Sequence, residues 1–455
     1  MKRKYFGTNG IRGEINVLFT PAFVSKISAA IAASFQSKGT MIIGSDSRTS
    51  SPFIKHGVIA SFLASGFEVI DLGIVPTPLV QFAVNNIKAD LGVVVTASHN
   101  PPEFNGIKVI DSDGIEIDLE KQKQVEDIYE DEEFNLVSWD KNQKVTKLDL
   151  KNEYIEQICG FVDRDRIEKK KLCAVIDAGN AVGGLVTPLL LRKLGVKTIT
   201  INGQLDGRFP GRGVEPSLEN LKTMSNSTVI SNADFSVAHD GDADRAIFGD
   251  ETGRVFYGDI SIALFQKFIL KGERNKKFVT PISSSLIISD IAEEIGGEVI
   301  WTPVGCIFVS RKMIQEKNLL GGEENGGLFF APHQSVRDGP MAAALMAEII
   351  AKSDTSLSEL ANELPKYHQK KNKINCPNSL KKKVMDFVID NVQEKVEILT
   401  IDGVKLIYPN SWILIRPSGT EPIFRIFVEA KSVDKANTIM EKGLKIVNKA
   451  IKSVH

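Results

Sequence analysis

The chain has 455 residues, of which 42% are hydrophobic and 25% charged, and its formal net charge is −1. This length predicts two to four domains with ordinary buried cores, and the balanced charge argues against nucleic acid or an anionic membrane as a partner. No apolar run reaches the roughly 18 residues that a membrane span needs, and the N-terminus is polar. The four cysteines are scattered without metal-type spacing, which is typical of reduced thiols, so we expect a cytoplasmic protein.

The first part of the chain alternates predicted helices and strands. Thr20-Pro21 starts a helix, because a capping hydroxyl precedes proline at the first helical position, and this helix is predicted to run to about residue 39. Two more helices are predicted, one from Ser51-Pro52 to about Gly66 and one from Pro76 onward. The predicted strands cover residues 41–44, 68–70 and 91–95.

The same alternation recurs twice. A helix over residues 184–194 is predicted between strands 173–176 and 198–201, and a further strand covers 235–238. Next, a helix over residues 284–295, ended by Gly296-Gly297, is predicted between strands 278–280 and 298–302. Strands that alternate with helices indicate parallel sheets with right-handed crossovers.

The last part of the chain differs. Residues 396–401 and 404–408 flank Asp402-Gly403, which predicts a β-hairpin. Strands at 412–415 and 423–430 and an amphipathic helix over 433–451 complete a small α+β domain. Charged stretches mark the predicted boundaries and divide the chain into domains 1–150, 151–252, 253–366 and 367–455.

A short polar segment, Thr96-Ala97-Ser98-His99-Asn100-Pro101, directly follows the predicted strand 91–95. Ligands of α/β proteins bind beyond the carboxyl ends of such strands, so Ser98 is a candidate to carry a phosphoryl group. An ordinary strand-to-loop turn is the alternative. His99 is a candidate base beside it, and Lys108, which follows the predicted turn glycine Gly106, is expected to project back toward Ser98.

An acidic cluster follows the predicted strand 235–238. Asp240, Asp242 and Asp244 stand at alternate positions, and three carboxylates can converge there on one hard cation. The alternatives are a solvated acidic turn and a calcium loop; the calcium loop requires glycine where the chain has Arg245. Arg245 is itself a candidate to hold the phosphoryl group that the metal contacts.

Glycine-rich segments supply further candidates. Glu323 and Asn325 suit adjacent sugar hydroxyls, although a glycine-rich turn with incidental polar residues is the commoner explanation. Arg12 lies between glycines that let the backbone approach a ligand. A phosphate clamp, or alternatively a surface turn, is predicted from Arg416, Ser418, Gly419 and Thr420.

Five segments, taken in order, resemble the α-D-phosphohexomutase superfamily over essentially the whole chain. The segments are Phe6-Gly7-Thr8-Asn9-Gly10-Ile11-Arg12-Gly13, Thr96-Ala97-Ser98-His99-Asn100-Pro101, Asp240-Gly241-Asp242-Ala243-Asp244-Arg245, Gly322-Glu323-Glu324-Asn325-Gly326-Gly327 and Arg416-Pro417-Ser418-Gly419-Thr420-Glu421-Pro422. The resemblance implies an α/β fold: three tandem domains of shared topology with parallel-rich mixed sheets, and a C-terminal α+β domain, around a central cleft. Two positions depart from the family. The sugar loop ends in Asn325-Gly326-Gly327, where bacterial relatives more often have serine and histidine, and Gly305 is followed by Cys306 where many relatives have a polar residue.

The resemblance also implies roles for the candidate residues. Ser98 would be phosphorylated in the resting enzyme, and one Mg²⁺ would be held by it together with Asp240, Asp242 and Asp244. Lys108 would be the general acid/base, close to His99, Arg12 and Arg245. The implied substrate-binding residues are Gly305, Glu323 and Asn325 at the sugar, and Arg416, Ser418, Gly419 and Thr420 at the non-reacting phosphate.

The implied reaction interconverts a hexose 6-phosphate and a hexose 1-phosphate through a hexose 1,6-bisphosphate, which also serves as activator. We expect glucosamine phosphate as the substrate, with a mannose or glucose phosphate mutase, or an enzyme acting on all of these sugars, as the alternative. A metal-dependent sugar phosphatase and a non-catalytic sugar-phosphate binder are the more distant alternatives. The expected assembly is a monomer or a homodimer, with small hexose phosphates as the only partners.

Overall fold

The computed structural model describes residues 4–7, 9–35, 38–391, 396–418 and 422–454. Within these ranges the chain forms four β-sheets with flanking helices. Gly419 and Thr420 of the predicted phosphate clamp lie outside the described residues.

The first sheet has six strands in the order β1-β5-β4-β2-β3-β6. The strands are β1 (Ile11–Glu14), β2 (Gly39–Ser45), β3 (Phe67–Ile74), β4 (Leu91–Val95), β5 (Phe104–Asp111) and β6 (Val145–Lys147). Strands β2, β3, β4 and β6 are parallel, whereas β5 runs antiparallel to both of its neighbours. The helices are α1 (Pro21–Ser34), α2 (Ser51–Ala64), α3 (Thr77–Ile87) and α4 (Leu119–Asp131). Helix α1 begins as predicted, with the Thr20 side chain accepting a hydrogen bond from the Phe23 amide.

The second and third sheets follow in the chain. The second unit contains α5 (Lys151–Cys159), α6 (Arg164–Lys170), β7 (Cys173–Asp177), α7 (Thr187–Lys193), β8 (Lys197–Ile201), α8 (Lys222–Ile230), β9 (Phe235–Ala238) and β10 (Ile247–Asp250). The third contains α9 (Gly258–Leu270), β11 (Lys277–Pro281), α10 (Leu286–Ile295), β12 (Glu298–Thr302), α11 (Cys306–Glu316), β13 (Leu320–Gly322), β14 (Leu328–Phe330), β15 (Gln334–Arg337), α12 (Gly339–Lys352) and α13 (Leu357–Asn362).

These three sheets share one four-stranded pattern. The orders β3-β2-β4-β5, β8-β7-β9-β10 and β12-β11-β13-β14 each place three parallel strands beside an antiparallel fourth. In each unit the connection from the third strand to the antiparallel fourth leaves the sheet at its carboxyl edge. Those connections carry Ser98, the Asp240–Asp244 cluster and Glu323, so repetition of one topology brings the three predicted loops to equivalent positions.

The last sheet is antiparallel throughout, with the order β16-β20-β19-β18-β17. Its elements are β16 (His368–Asn375), α14 (Lys381–Asn391), β17 (Glu397–Leu399), β18 (Val404–Tyr408), β19 (Ser411–Pro417), β20 (Ile423–Ala430) and α15 (Val433–Val454). Helices α14 and α15 pack against each other, and α15 also lies against β16, β19 and β20. The predicted α+β architecture of the C-terminal part is confirmed.

Some local predictions were wrong. Gly106 is not a turn residue: it lies inside β5 and pairs with Arg12 of β1, where a side chain would collide with the Ile11 and Thr96 carbonyls. The predicted helix over 184–194 is divided into a 3-10 turn, Val182–Leu185, and α7. Pro188 explains the division, since it lies in the first turn of α7 and has no amide hydrogen to continue a preceding helix.

The charged stretch near residue 145 also has a structural role, because β6 adds to the edge of the first sheet beside β3. The three domain boundaries proposed from the sequence remain predictions. Among the described residues, no helix combines the length and apolar character that would let it cross a membrane.

Candidate active site

Ser98 lies in the loop that follows β4, fully buried, with φ 50°. Its backbone amide donates to the Thr96 Oγ1 at 2.9 Å, and its hydroxyl donates to Asp240 Oδ2 at 2.8 Å. The neighbouring loop approaches closely here, since a Cβ on Gly241 would lie 2.4 Å from the Ser98 carbonyl oxygen. The structure therefore joins the predicted serine and the first predicted metal ligand across two domains.

A buried arginine that sequence analysis missed supports the serine loop. Arg48 is 1% exposed and pairs with Asp46 at 3.0 Å. Its guanidinium also donates to four backbone carbonyls of the serine loop and the start of β5, at Ser98 (2.9 Å), Asn100 (2.6 Å), Pro101 (2.6 Å) and Phe104 (2.9 Å). Arg48 lies in the segment that follows β2, so the strand-end rule that selected Ser98 could also have found it.

We expect Arg48→Ala to lower the free energy of unfolding by about 3–5 kcal/mol, because it leaves the Asp46 carboxylate buried without its cation. Urea unfolding followed by circular dichroism measures the change. The chain offers a matched control in Arg208, which pairs with Asp206 at the same two-residue spacing but has a side chain that is 79% exposed. Arg208→Ala should leave the unfolding midpoint nearly unchanged; an equal loss in both variants would contradict the assigned role of Arg48.

The acidic cluster has the donor set of a metal site. Carboxylate oxygens of Asp240, Asp242 and Asp244 lie within 4.8 Å of one another, and all three residues are buried. Lys108 Nζ donates to the Oδ2 atoms of Asp242 and Asp244, at 2.5 and 2.9 Å, and Thr77 Oγ1 donates to Asp242 Oδ2 at 2.6 Å. The buried Oδ1 atoms of Asp242 and Asp244 have no hydrogen-bond partner among the described residues.

This arrangement fits a hard divalent cation such as Mg²⁺. In Asp242 and Asp244 one oxygen accepts hydrogen bonds from protein donors and the other accepts none among the described residues, which leaves an oxygen available to a metal. The pKa of Asp240 is raised to about 7, first by burial and then by the neighbouring carboxylates Asp244 and Asp242. A cation bound to the cluster would offset that repulsion.

Lys108 is protonated in this environment. Burial opposes its charge, but the Asp242 and Asp244 carboxylates outweigh burial and raise the pKa of Lys108. The reciprocal effect holds at Asp242: burial raises the carboxyl pKa, but Lys108, with Thr77 and Arg12, outweighs burial and lowers it. The Lys108 ammonium therefore keeps its proton in this position, and it orients two of the predicted metal ligands.

His99 and Arg245 flank the serine hydroxyl. The His99 Nδ1 is 3.3 Å from Ser98 Oγ and 3.0 Å from Arg245 Nη2. Because a guanidinium only donates, this nitrogen is an acceptor and the imidazole is neutral. Burial, together with the Arg245 and Arg12 cations, holds the pKa of His99 well below its usual range. Arg12 reaches the same loop, donating from Nη1 to Asn100 Oδ1 at 3.0 Å.

The predicted sugar loop meets the acidic cluster through a second arginine that sequence analysis missed. Arg337, at the end of β15, donates to Asp244 Oδ2 at 2.6 Å and to Glu323 Oε2 at 3.2 Å. Glu323 is 3% exposed, and Asn325 Nδ2 lies 3.5 Å from the same Glu323 oxygen. No local pattern in the sequence distinguishes Arg337, since its contacts are with two other loops.

The predicted phosphate clamp approaches the third domain. Arg416 Nε lies 2.8 Å from Asp402 Oδ2, and that oxygen accepts a hydrogen bond from the Val304 amide at 3.1 Å. Arg416 is thereby placed beside the loop that contains Gly305, the residue before helix α11. The Ser418 carbonyl accepts a hydrogen bond from Lys381 Nζ at 2.5 Å. The described hydrogen bonds and ion pairs of Arg416 and Ser418 do not reach Ser98.

Known proteins share this architecture. Four family models align in chain order: phosphoglucomutase/phosphomannomutase alpha/beta/alpha domain I over residues 3–136, domain II over 152–253, domain III over 257–367 and the C-terminal domain over 373–445. A "Phosphoglucomutase/phosphomannomutase" of Thermococcus kodakarensis is 41% identical over 454 residues, covering 99% of each chain. A "Phosphoglucosamine/phosphogalactosamine mutase" of Sulfurisphaera tokodaii is 41% identical over 450 residues, covering 98% of this chain and 99% of that protein.

A solved structure extends the likeness to three dimensions. The phosphoglucomutase/phosphomannomutase family protein from Burkholderia thailandensis aligns with a TM-score of 0.88 at 25% identity, over 98% of each chain. The matches cover all four domains in order, so the fold and the family resemblance inferred from the sequence are confirmed. The chain belongs to the phosphoglucomutase/phosphomannomutase family and is a phosphohexomutase.

Proposed function

We propose that this protein interconverts glucosamine 6-phosphate and glucosamine 1-phosphate through a phosphoserine at Ser98. The observation that carries the proposal is the hydrogen bond of 2.8 Å from the buried Ser98 hydroxyl to Asp240, at the edge of the acidic cluster. Glucosamine is favoured because several full-length relatives, 36–41% identical, have names that include phosphoglucosamine mutase. A mannose or glucose phosphate substrate is the alternative, since one relative of 41% identity is named for these activities.

The proposed reaction is a balanced exchange of one phosphoryl group. The bond between phosphorus and Ser98 Oγ breaks as a bond to the free hydroxyl oxygen of the sugar phosphate forms. The proton of that hydroxyl passes to a base, and Ser98 Oγ recovers a proton. The resulting bisphosphate reverses its orientation and returns the other phosphoryl group to Ser98, so the net change is isomerisation.

Residues around Ser98 suit these steps. Mg²⁺, held by Asp240, Asp242, Asp244 and the serine oxygen, would supply charge neutralisation for the transferring group. We assign Lys108 as the general acid/base on the basis of its position in the acidic cluster, and the neutral His99 as a hydrogen-bond acceptor beside the serine. Arg245 and Arg12 bring positive charge to the same loop, where it would stabilise the phosphoryl oxygens.

In this proposal different domains bind the two ends of the substrate. Glu323 and Asn325 would accept and donate hydrogen bonds at the sugar, and a carboxylate also suits the ammonium group of glucosamine. Gly305, Arg416, Ser418, Gly419 and Thr420 would bind the phosphate that does not react. Because a bisphosphate that reverses presents either phosphate to the clamp, the clamp must bind phosphate alone and not a particular sugar face.

A substrate panel tests the proposal. The purified protein is incubated with Mg²⁺, a trace of glucose 1,6-bisphosphate and the 6-phosphate of glucosamine, mannose or glucose, and products are followed by phosphorus NMR. We expect 1-phosphate to form fastest from glucosamine 6-phosphate. Faster turnover of mannose or glucose phosphate would support the alternative substrate, and stoichiometric release of inorganic phosphate would identify a phosphatase. If none of the three sugar phosphates is converted, the result would favour a non-catalytic sugar-phosphate binder.

The phosphate clamp gives a second prediction. Arg416→Ala should raise KM for the hexose phosphate roughly 10- to 100-fold, because a hydrogen bond from a charged group to phosphate is lost. Steady-state kinetics on the preferred substrate measure the change. Arg274→Ala, at an exposed bend, is the control and should leave KM unchanged. If KM in Arg416→Ala stays within twofold of the wild-type value, Arg416 does not bind the substrate phosphate.

We also propose a cytoplasmic location, since all four cysteines are free thiols, as expected in a reducing compartment. The monomer or homodimer expected from the sequence remains a prediction, which light scattering of the purified protein measures directly.

A further inference from the structure

Arg337 occupies the space that a side chain at position 327 would otherwise fill. A Cβ built on Gly327 would lie 2.4 Å from Arg337 Cδ and 2.9 Å from Arg337 Cγ. The backbone of Gly327 is not in the left-handed region, so conformational freedom does not explain the glycine. The absence of a side chain at 327 is therefore what lets the arginine pass from β15 to the acidic cluster.

The guanidinium of Arg337 divides its donors between two loops. Nη2 donates to Asp244 Oδ2 at 2.6 Å, and Nη1 donates to Glu323 Oε2 at 3.2 Å. The arginine is 6% exposed and Glu323 is 3% exposed. A planar guanidinium holds its two terminal nitrogens at a fixed separation, so it also fixes the positions of the two carboxylates relative to each other.

We propose that Arg337 is a positioning residue that sets the sugar-contacting carboxylate of Glu323 relative to the metal-binding loop at Asp244. This inference rests on the proposed function of the site. Its consequence is that discrimination between hexose phosphates depends on Arg337, although the arginine itself is buried. Gly327 and Arg337 act as one unit, because a side chain at 327 would collide with the arginine.

A pair of substitutions tests this unit. Arg337→Ala should lower the affinity for the preferred hexose 6-phosphate roughly 10- to 100-fold, measured by calorimetry in a Ser98→Ala background where no turnover occurs. With Ser98 intact, the ratio of kcat/KM between glucosamine 6-phosphate and glucose 6-phosphate should move toward 1. Gly327→Ala should cause similar changes by displacing the arginine. In the double variant the second substitution should add little, because the alanine at 337 leaves room for the new Cβ.

Two further variants separate positioning from simple stability. Arg337→Lys keeps the positive charge but not the planar pair of donors, so it should restore the thermal midpoint more than the sugar preference. Arg254→Ala removes another arginine–carboxylate pair, at 3.0 Å from Asp250 and outside the site, and should change neither affinity nor preference. Full restoration of sugar preference by lysine would overturn the proposal, and so would additive effects in the double variant.

The result also distinguishes this inference from the function on which it rests. If the wild-type protein turns over no hexose phosphate, the proposed function fails. If it is active and both Arg337→Ala and Gly327→Ala keep wild-type affinity and sugar preference, the function stands and the positioning role is wrong.

Discussion

We expect Ser98→Ala to lower the mutase turnover rate by at least about 10⁴-fold. The reason is that no other group replaces the oxygen that holds the phosphoryl group between its transfer to the substrate and its return from the bisphosphate. The substitution removes one hydroxyl whose partners are Asp240 at 2.8 Å and His99 at 3.3 Å. It leaves the backbone contacts of the loop with Arg48 in place. We therefore expect the variant to remain folded, with the loss confined to chemistry.

Two measurements accompany this prediction. Intact-mass analysis of the wild-type protein, after exposure to glucose 1,6-bisphosphate, should show the added mass of one phosphoryl group, and Ser98→Ala should not. Ser112→Ala, in an exposed turn after β5, is the matched control and should retain both the added mass and full turnover. Substantial mutase activity in Ser98→Ala would eliminate the phosphoserine route and leave the acidic cluster to act in some other reaction.

Several site residues could be predicted from the sequence because they follow predicted strands. Ser98 and Asp240 follow the predicted strands 91–95 and 235–238, so a correct strand assignment was enough to place them at the same edge. Glu323 was selected only from its glycine-rich segment, and it lies in the equivalent connection of the repeated topology, after a strand that was not predicted. The fold class was predictable for the same reason. The five segments that carry the family resemblance are each continuous in the chain, so the family is recognisable from the order of residues alone.

Two of the residues that sequence reasoning missed act across the domains. Thr77 begins helix α3 and contacts Asp242, which is distant in the chain, and Arg337 bridges two loops. Each is an ordinary helix-start or strand-end residue in its own segment, so its role appears only when sheets from different domains are placed side by side. Gly106 shows the converse error, since a glycine next to asparagine resembles a turn but here admits two backbone carbonyls within a sheet.

Asp242→Asn should lower turnover about 10³-fold and weaken binding of a divalent cation, because either orientation of the amide is unfavourable. If the amide nitrogen takes the Oδ2 position, it meets Lys108 and Thr77, which are donors at 2.5 and 2.6 Å. If it takes the Oδ1 position, an N–H group replaces the buried oxygen that has no hydrogen-bond partner among the described residues and is left to bind a cation. A carboxylate is therefore required at 242 both to accept from the protein and to bind the metal.

Mn²⁺ can be used in place of Mg²⁺ to follow binding by electron paramagnetic resonance, independently of turnover. We expect one tight site in the wild-type protein and a dissociation constant at least about tenfold larger in Asp242→Asn, since one of three anionic ligands is lost. Asp206→Asn, on the surface and far from the cluster in sequence, should bind Mn²⁺ as the wild type does. Chelation of the metal should abolish turnover, and added Mg²⁺ should restore it. Unchanged Mn²⁺ affinity in Asp242→Asn would mean that protein cations, Lys108, Arg245 and Arg337, balance the buried carboxylates. Charge neutralisation during transfer would then come from the arginines around Ser98.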